Sequence, residues 1–437
     1  MNAAALARED RYLGDLGPKL YVRLGGLGLG LIVLSLALGF IVKDWDRFWR
    51  AYVVAYCFVV SICLGGLFFT ILQHLTRAGW SVAIRRISEG LASNLRWLWI
   101  LFIPIVWIVW TDSEGGLYHW TLGADAMLEM GEAEGMLLAH KDAFLNPTFW
   151  TLRAALYFVI WFALAQYFVG NSIAQDASGD PSITSRMQAL AAPGMILYAF
   201  TQTFAAIDWL MTLEFAWFST MFGVYFFAAS CCGFGATMIL LVYFLQRAGR
   251  VTESISIEHY HDMGKFLFAF GIVFWSYIAY SQYMLIWYAN MPEETTWFLV
   301  RQLGSWKGLS VLLILGHFLI PFFFLLSRHI KRSKGVLAAA AAWMVAIHFI
   351  DIYWLVMPAV PVELVRSVGG DYQALVTAFQ APENAAAYDL NWQLFDVTLL
   401  LGFASLMVAG TAFGLRSRSL VPEQDPRLAE SLAFENY

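Results

Sequence analysis

Charge is what this sequence has least of. Only 14% of its 437 residues are Asp, Glu, Lys or Arg, where ordinary soluble domains carry roughly 25%. With 27 Lys and Arg against 32 Asp and Glu, the net charge is −5. No basic excess exists to neutralise phosphates, which excludes a nucleic-acid binder. Cysteine is scarce too. Cys57, Cys63, Cys231 and Cys232 form no CxxC, no CxxCH and no four-Cys spacing, so attached c-type haem and a cysteine-held iron–sulfur cluster are excluded. They read as buried free thiols acting as small hydrophobes. The polar start MNAAALARED lacks a short apolar core with a cleavage site. No signal peptide is expected, and the first apolar run reads as a retained anchor.

What fills the chain is apolar and aromatic. Hydrophobic residues make up 60%, with 35 Phe, 19 Trp and 19 Tyr, and the mean hydropathy is +0.62. Trp and Tyr favour membrane–water interfaces, where a ring keeps one wet edge. The expected fold class is an all-α polytopic membrane protein. Stretches of about 20 mainly apolar residues fall at 20–42, 52–73, 95–111, 149–170, 188–210, 217–245, 265–290, 306–328, 336–357 and 393–415. That predicts ten transmembrane helices within a 20–415 domain, with a polar segment before it (1–19) and a tail after it (416–437). An N-terminus inside puts 19 of the 27 Lys and Arg on the cytoplasmic side, so the positive-inside rule favours both termini there. Two outer segments, 112–148 and 358–392, are long enough to lie on the bilayer, dock a partner or form solvated loops. In the first span, Gly26 and Gly30 sit four apart, a spacing that lets a neighbouring helix approach closely.

Ionisable groups inside spans are costly and therefore point to function. The ninth span carries His348 and Asp351 in AIHFIDIYWLVMP, three apart on one helical face, where a carboxylate can orient an imidazole. The fifth ends in AAIDWLMTLE, with Asp208 at a comparable depth. The likeness of the two runs, four spans apart, suggests two related four-helix bundles, spans 2–5 and 6–9, flanked by spans 1 and 10. At the inner end of the seventh span, EHYHDMGK gathers His261, Asp262 and Lys265. Ser276, Tyr277, Tyr280 and Tyr283 follow on the same helix, three of them on one stripe. His317 lies in the eighth span and Asp396 near the outer end of the tenth. Together these groups read as a transmembrane proton path, or as plain interhelical hydrogen bonding. One haem between His317 and His348 is a minor alternative.

Several runs in order then resemble a known family. LYHWTLGADAM with KDAFLNPTFWTLRAALYF, AAIDWLMTLEFAWFSTMFGVYFFAAS, and HDMGKFLFAFGIVFWSYIAYSQYMLIWYANMPEET are similar to the ActF-type membrane subunit of alternative complex III, in the polysulfide-reductase/NrfD-like superfamily. The similarity runs from about residue 20 to 415. It implies a bacterial inner-membrane subunit of a quinol:electron-acceptor (cytochrome c type) oxidoreductase. The implied partners are an ActC-like paralogue that is the better candidate for the quinol site, iron–sulfur, multihaem and monohaem c subunits, small membrane subunits and lipids. Haem c and iron–sulfur clusters belong to those partners. This chain is expected to hold no covalent or metal-ligated cofactor, with quinone left open as a ligand. The resemblance carries His261, Asp262, Lys265, Tyr277, Tyr280, His317, His348, Asp351 and Asp208 as proton-route candidates. The inner half-path would climb the tyrosine stripe to His317, and the outer half would use His348, Asp351 and Asp208. The family's pattern has Pro-His before the Trp of the fifth-to-sixth turn; here Phe215 and Ala216 precede Trp217. A quinol-binding NrfD/ActC-like subunit, a secondary transporter and a structural anchor stand as alternatives. Pro104 alone lies near a span's middle, so the broken-helix signature of a transporter is faint.

Overall fold

A backbone surrounded by hydrocarbon must satisfy its own hydrogen bonds, and the long apolar runs do so as helices. The computed structural model describes residues 9–112, 115–130, 132–359, 364 and 372–436. Among them the protein is all-helical, 80% helix, with no strand. In order come α1 (Leu16–Val42), α2 (Trp45–Leu75), α3 (Val82–Ala92) and α4 (Ile103–Thr111). Two short helices follow, α5 (Gly123–Met130) and α6 (Glu132–Lys141), then α7 (Pro147–Ser178), α8 (Ser182–Trp209) and α9 (Phe222–Arg247). Next, α10 (Ile257–Phe266) runs through a π-helical stretch, Leu267–Phe274, into α11 (Trp275–Ala289). Beyond α12 (Pro292–Val300), α13 (Trp306–Leu313) passes through a second π-helical stretch, Ile314–Leu319, into α14 (Ile320–Leu326). Then come α15 (Arg328–Lys331), α16 (Lys334–Val356), α17 (Tyr372–Phe379), α18 (Pro382–Tyr388), α19 (Leu394–Gly414) and α20 (Leu428–Leu432).

Among the described residues nine helices are long and apolar enough to cross a membrane, or up to ten if a bent pair counts as one span. That pair is Val82–Arg96 with Leu98–Thr111, bent by 48°. It starts earlier than the 95–111 stretch because Arg85, Arg86 and Glu89 depress the hydropathy of its N-terminal half. At the centre lies α2, whose apolar window is buried along its whole length, packed by α3, α8, α9, α16 and α19. The other prominent contacts are α9 with α16 and with the first π-helical stretch, and α7 with α8 and the Ser93–Arg96 turn.

The first and last spans form the most extensive helix pair. Their close approach is at Gly28, where a Cβ would meet the Gly402 carbonyl oxygen at 2.8 Å. Gly26 and Gly30 face open space instead. The expected spacing was right for a helix contact and wrong about the face, because α19, the main neighbour of this largely exposed helix, lies on the Gly28 side. Polar side chains tie off the helix starts: Asp44 accepts from the Arg47 amide at 3.1 Å, and Asn146 from the Phe149 amide at 2.8 Å. The described parts of both outer segments pack on span ends. Tyr118 donates to the Trp209 carbonyl at 2.9 Å, Lys141 to Phe215 at 2.7 Å, and the Trp306 indole to Tyr388 at 2.8 Å. The chain's two end segments meet on one face. Tyr12 and Ser419 form an antiparallel bridge, and the Leu420 amide donates to the Arg11 carbonyl at 2.7 Å.

Candidate functional site: a polar network inside the helices

Asp351 sits on α16 with no solvent exposure. The Tyr225 hydroxyl of α9 donates to its Oδ1 at 2.5 Å, and the Trp275 indole N–H of α11 to its Oδ2 at 3.0 Å. No cation pairs with it among the described residues. Trp275 in turn stacks on His317, ring centroids 3.6 Å apart at 12°. His317 lies in the second π-helical stretch and reaches the first: its Nε2 donates to the Gly271 carbonyl at 3.0 Å. A carbonyl can only accept, so Nε2 carries the ring proton and Nδ1 is bare. That Nδ1 is buried without a partner. π-Helical stretches often mark functional sites, and here both serve one imidazole.

His348 is equally buried, one turn from Asp351 on α16. It bonds Ser61 of α2, Nε2 to Oγ at 2.8 Å, not Asp351. Ser61 donates its single proton to the Phe58 carbonyl at 2.8 Å, so the network assigns a donating Nε2–H to His348. Its Nδ1 too has no partner. The three-residue spacing therefore brings imidazole and carboxyl onto one helix turn but into different hydrogen bonds.

Asp208 differs in kind. Arg153 of α7 grips it in two-pronged fashion, Nε to Oδ2 and Nη2 to Oδ1, both at 2.8 Å, and Tyr157 donates to Oδ2 at 2.7 Å. A fixed guanidinium neutralises this carboxylate. Asp396 opens α19 with a capping box and accepts from Arg47 Nη2 at 2.8 Å; the same nitrogen reaches the Tyr353 hydroxyl at 3.1 Å. Two further arginines close the end of α16. Arg301 donates to the Trp354 and Leu355 carbonyls at 3.2 and 2.9 Å, and Arg50 to Val356 at 3.3 Å, capping orphan carbonyls.

At the other end, Lys265 pairs with Asp262 at 2.6 Å, and His261 Nδ1 is buried without a partner. Burial and the Lys265 ammonium hold the nearby Lys331 amine below the ordinary lysine value, while it donates to the Leu325 and Leu326 carbonyls. No side-chain hydrogen bond links this cluster to His317 among the described residues. The tyrosine stripe does not supply one: Tyr277 and Tyr280 are each 63% exposed and Tyr283 40%, facing out of the helix assembly. Ser276 bonds its own helix at the Val273 carbonyl, 2.9 Å. Periodicity put these side chains on one face, and that face points outward.

Sequence reasoning missed Tyr225, Trp275, Ser61 and Arg153, which come from other spans. It also missed Glu89, buried in α3 and shared by Arg85 at 3.3 Å and Arg86 at 2.9 Å, with Asp425 and Asp176 completing the set at 2.6 and 2.7 Å. The signal was present in RRISE, whose acid stands three and four residues after two bases. All four cysteines are free and buried. Among the described residues no group of three or more His, Cys, Asp or Glu is placed to hold a metal ion. No protein-family model matches the chain, and no curated protein is significantly similar to it.

Proposed function

We propose that this chain is an ActF-type membrane subunit of alternative complex III, a quinol:electron-acceptor oxidoreductase, and that it contributes a transmembrane proton route. The observation that carries the reading is Asp351. It is a carboxyl buried inside a polytopic helical protein, held by neutral donors alone, with two bare imidazole nitrogens nearby. Such a group has no fixed counter-ion to set its charge, so it is free to take up and release a proton. In this reading His261, Asp262 and Lys265 form the inner intake, and His317, His348, Asp351 and Tyr225 the middle. Tyr353, Arg47 and Asp396 lead outward. Asp208, locked to Arg153, acts as structure, and the tyrosine stripe faces lipid or a partner subunit. Partner subunits carry the haem c, the iron–sulfur clusters and the main quinol site.

The same reading takes ten spans with both termini on the cytoplasmic face of a bacterial inner membrane. Pairing of the two end segments at Tyr12 and Ser419 requires an even number of crossings, which favours counting α3 with α4 as one span. Packing of α3, α7 and α8 around α2, and of α16 with the π-helical spans around α9, supports two four-helix bundles flanked by α1 and α19. The test is the reconstituted complex with Asp351→Asn. Quinol oxidation should continue while proton pumping is lost; unchanged pumping removes Asp351 from the scheme. Co-purification tests the assignment itself. Recovery with multihaem c and iron–sulfur subunits supports it, whereas an isolated colourless chain that moves a solute makes the protein a carrier.

A further inference from the structure

The bend in the third span opens a groove. Beyond Trp97 the chain turns by 48°, and between the Trp99–Val106 region and α7 it leaves a cavity of about 380 Å³. Trp99, Ile103, Phe158, Val159 and Phe162 line it. Of these Trp99, Ile103, Val159 and Phe162 are also exposed, so the groove opens sideways where lipid would lie. Its one polar side chain is Thr151, whose hydroxyl is already engaged by the Pro147 carbonyl and the Trp110 indole. An apolar chain suits such walls and a polar ligand does not.

One turn beyond Phe162 on α7, the groove's foot is basic. The half-buried Arg96 guanidinium donates to the Ser93 carbonyl at 3.1 Å and to Gln166 Oε1 at 3.0 Å. The end of α19 docks on the turn carrying it: a Cβ on Gly414 would meet Ser93 Oγ at 2.5 Å. That contact brings in Arg416, stacked on the Phe413 ring at 3.5 Å, and Arg418, bonded to the Gly414 carbonyl at 3.1 Å. Arg418 is near enough to repel Arg96. Burial, with Arg86 and Arg416 beside it, holds the Arg418 guanidinium below the ordinary arginine value. Among the described residues none of Arg96, Arg416 and Arg418 pairs with a carboxylate, unlike Arg86, which has two. Three guanidiniums without a carboxylate partner, Arg96 beside Arg418 and Arg418 beside Arg416, make this end of the spans attractive to an anionic headgroup.

Foot and groove have matching dimensions. At 1.5 Å per residue, the stretch from Gln166 to Ala155 is roughly 16 Å, close to half of the roughly 30 Å hydrocarbon layer. We propose that Arg96, Arg416 and Arg418 bind the phosphate of an anionic phospholipid from the leaflet on the Arg-rich side, with one acyl chain seated in the groove beside Ala155 and Phe158. The site stands whether or not the functional reading above holds.

The test is native mass spectrometry of the delipidated full chain, with whatever subunits accompany it, titrated with phosphatidylglycerol, phosphatidylcholine or a prenylated quinone. Phosphatidylglycerol should bind at least tenfold more tightly than phosphatidylcholine. Arg416→Gln, at an exposed position, should weaken it about fivefold, since one surface arginine is worth about 1 kcal/mol toward anionic lipid. The triple R96Q/R416Q/R418Q variant should abolish the preference. Ala155→Trp should weaken both phospholipids by filling the tail's seat. Equal binding of the two phospholipids, or a preference that survives the triple variant, overturns the proposal. So does tightest binding by the quinone, lost in Ala155→Trp but kept in the arginine variants, which would make the groove a quinone site.

Discussion

Two aspartates near the C-terminal ends of α8 and α16 divide the work that buried carboxyls can do. Asp208 is half of an ion pair with Arg153, and removing one partner of a buried pair leaves an uncompensated charge worth about 3–5 kcal/mol of stability. Arg153→Ala should therefore lower the thermal unfolding of the detergent-solubilised protein sharply, while the double variant Arg153→Met with Asp208→Leu recovers most of the loss. A mild Arg153→Ala phenotype would show that the pair is not structural. Asp351→Asn should be far gentler, because an amide still accepts from Tyr225 or Trp275; a loss of about 1–3 kcal/mol is the expected limit. Asp351, His348 and Asp208 were legible in the sequence because an ionisable group inside an apolar run has few innocent explanations. Their partners were not. Ser61, Tyr225 and Trp275 look like any other interfacial serine or aromatic until the fold brings α2, α9 and α11 against α16.

Helix faces are where periodicity and packing part company. Steps of four and three residues put Ser276, Tyr280 and Tyr283 together, yet nothing local says which side of the helix meets the protein. The same gap explains the glycines of α1. Gly28→Ala would push a Cβ to 2.8 Å from both the Gly402 carbonyl and Leu406, so it should destabilise the α1–α19 pair by about 1–3 kcal/mol. Gly26→Ala and Gly30→Ala meet nothing within 4 Å and should be neutral or slightly stabilising, since alanine is the better helix former. Thermal unfolding of the three single variants separates them; equal losses would mean that α1 packs differently. The third span shows the opposite failure. Its N-terminal half was hidden because Arg85, Arg86 and Glu89 read as solvated charges, whereas the fold pairs them and buries them.

The described tail after α19 packs back onto the helices. Asp425 supplies a carboxylate to Arg85 at 2.6 Å. Ser431 takes the Ala83 amide and donates to the Trp80 carbonyl, while His259 Nε2 lies 3.1 Å from the same hydroxyl. The His259 Nδ1 accepts from the Ser256 amide that starts α10, so one imidazole ties the tail to that helix. Further on, Asn436 accepts from Lys265 at 2.6 Å, and its carbonyl from Arg328 at 2.8 Å. The tail thus straps the N-terminal turns of α3 and α10 and reaches the cluster proposed as the proton intake. Composition marked it only as the polar stretch after the last span, because these contacts lie 108 to 351 residues away in sequence. Deleting residues 422–437 takes Asp425 from Arg85, which keeps only its share of Glu89 while Arg86 keeps Glu89 and Asp176; breaking that buried pair costs about 3–5 kcal/mol. Hydrogen exchange in the first turns of α3 and α10 should then quicken, while α2, buried among other helices, keeps its protection. Asp425→Asn should reproduce the effect at α3 but not at α10, where the tail's contacts run through Ser431 and Asn436. Unchanged exchange at both helices would mean that the strap lies on the inner face without holding it.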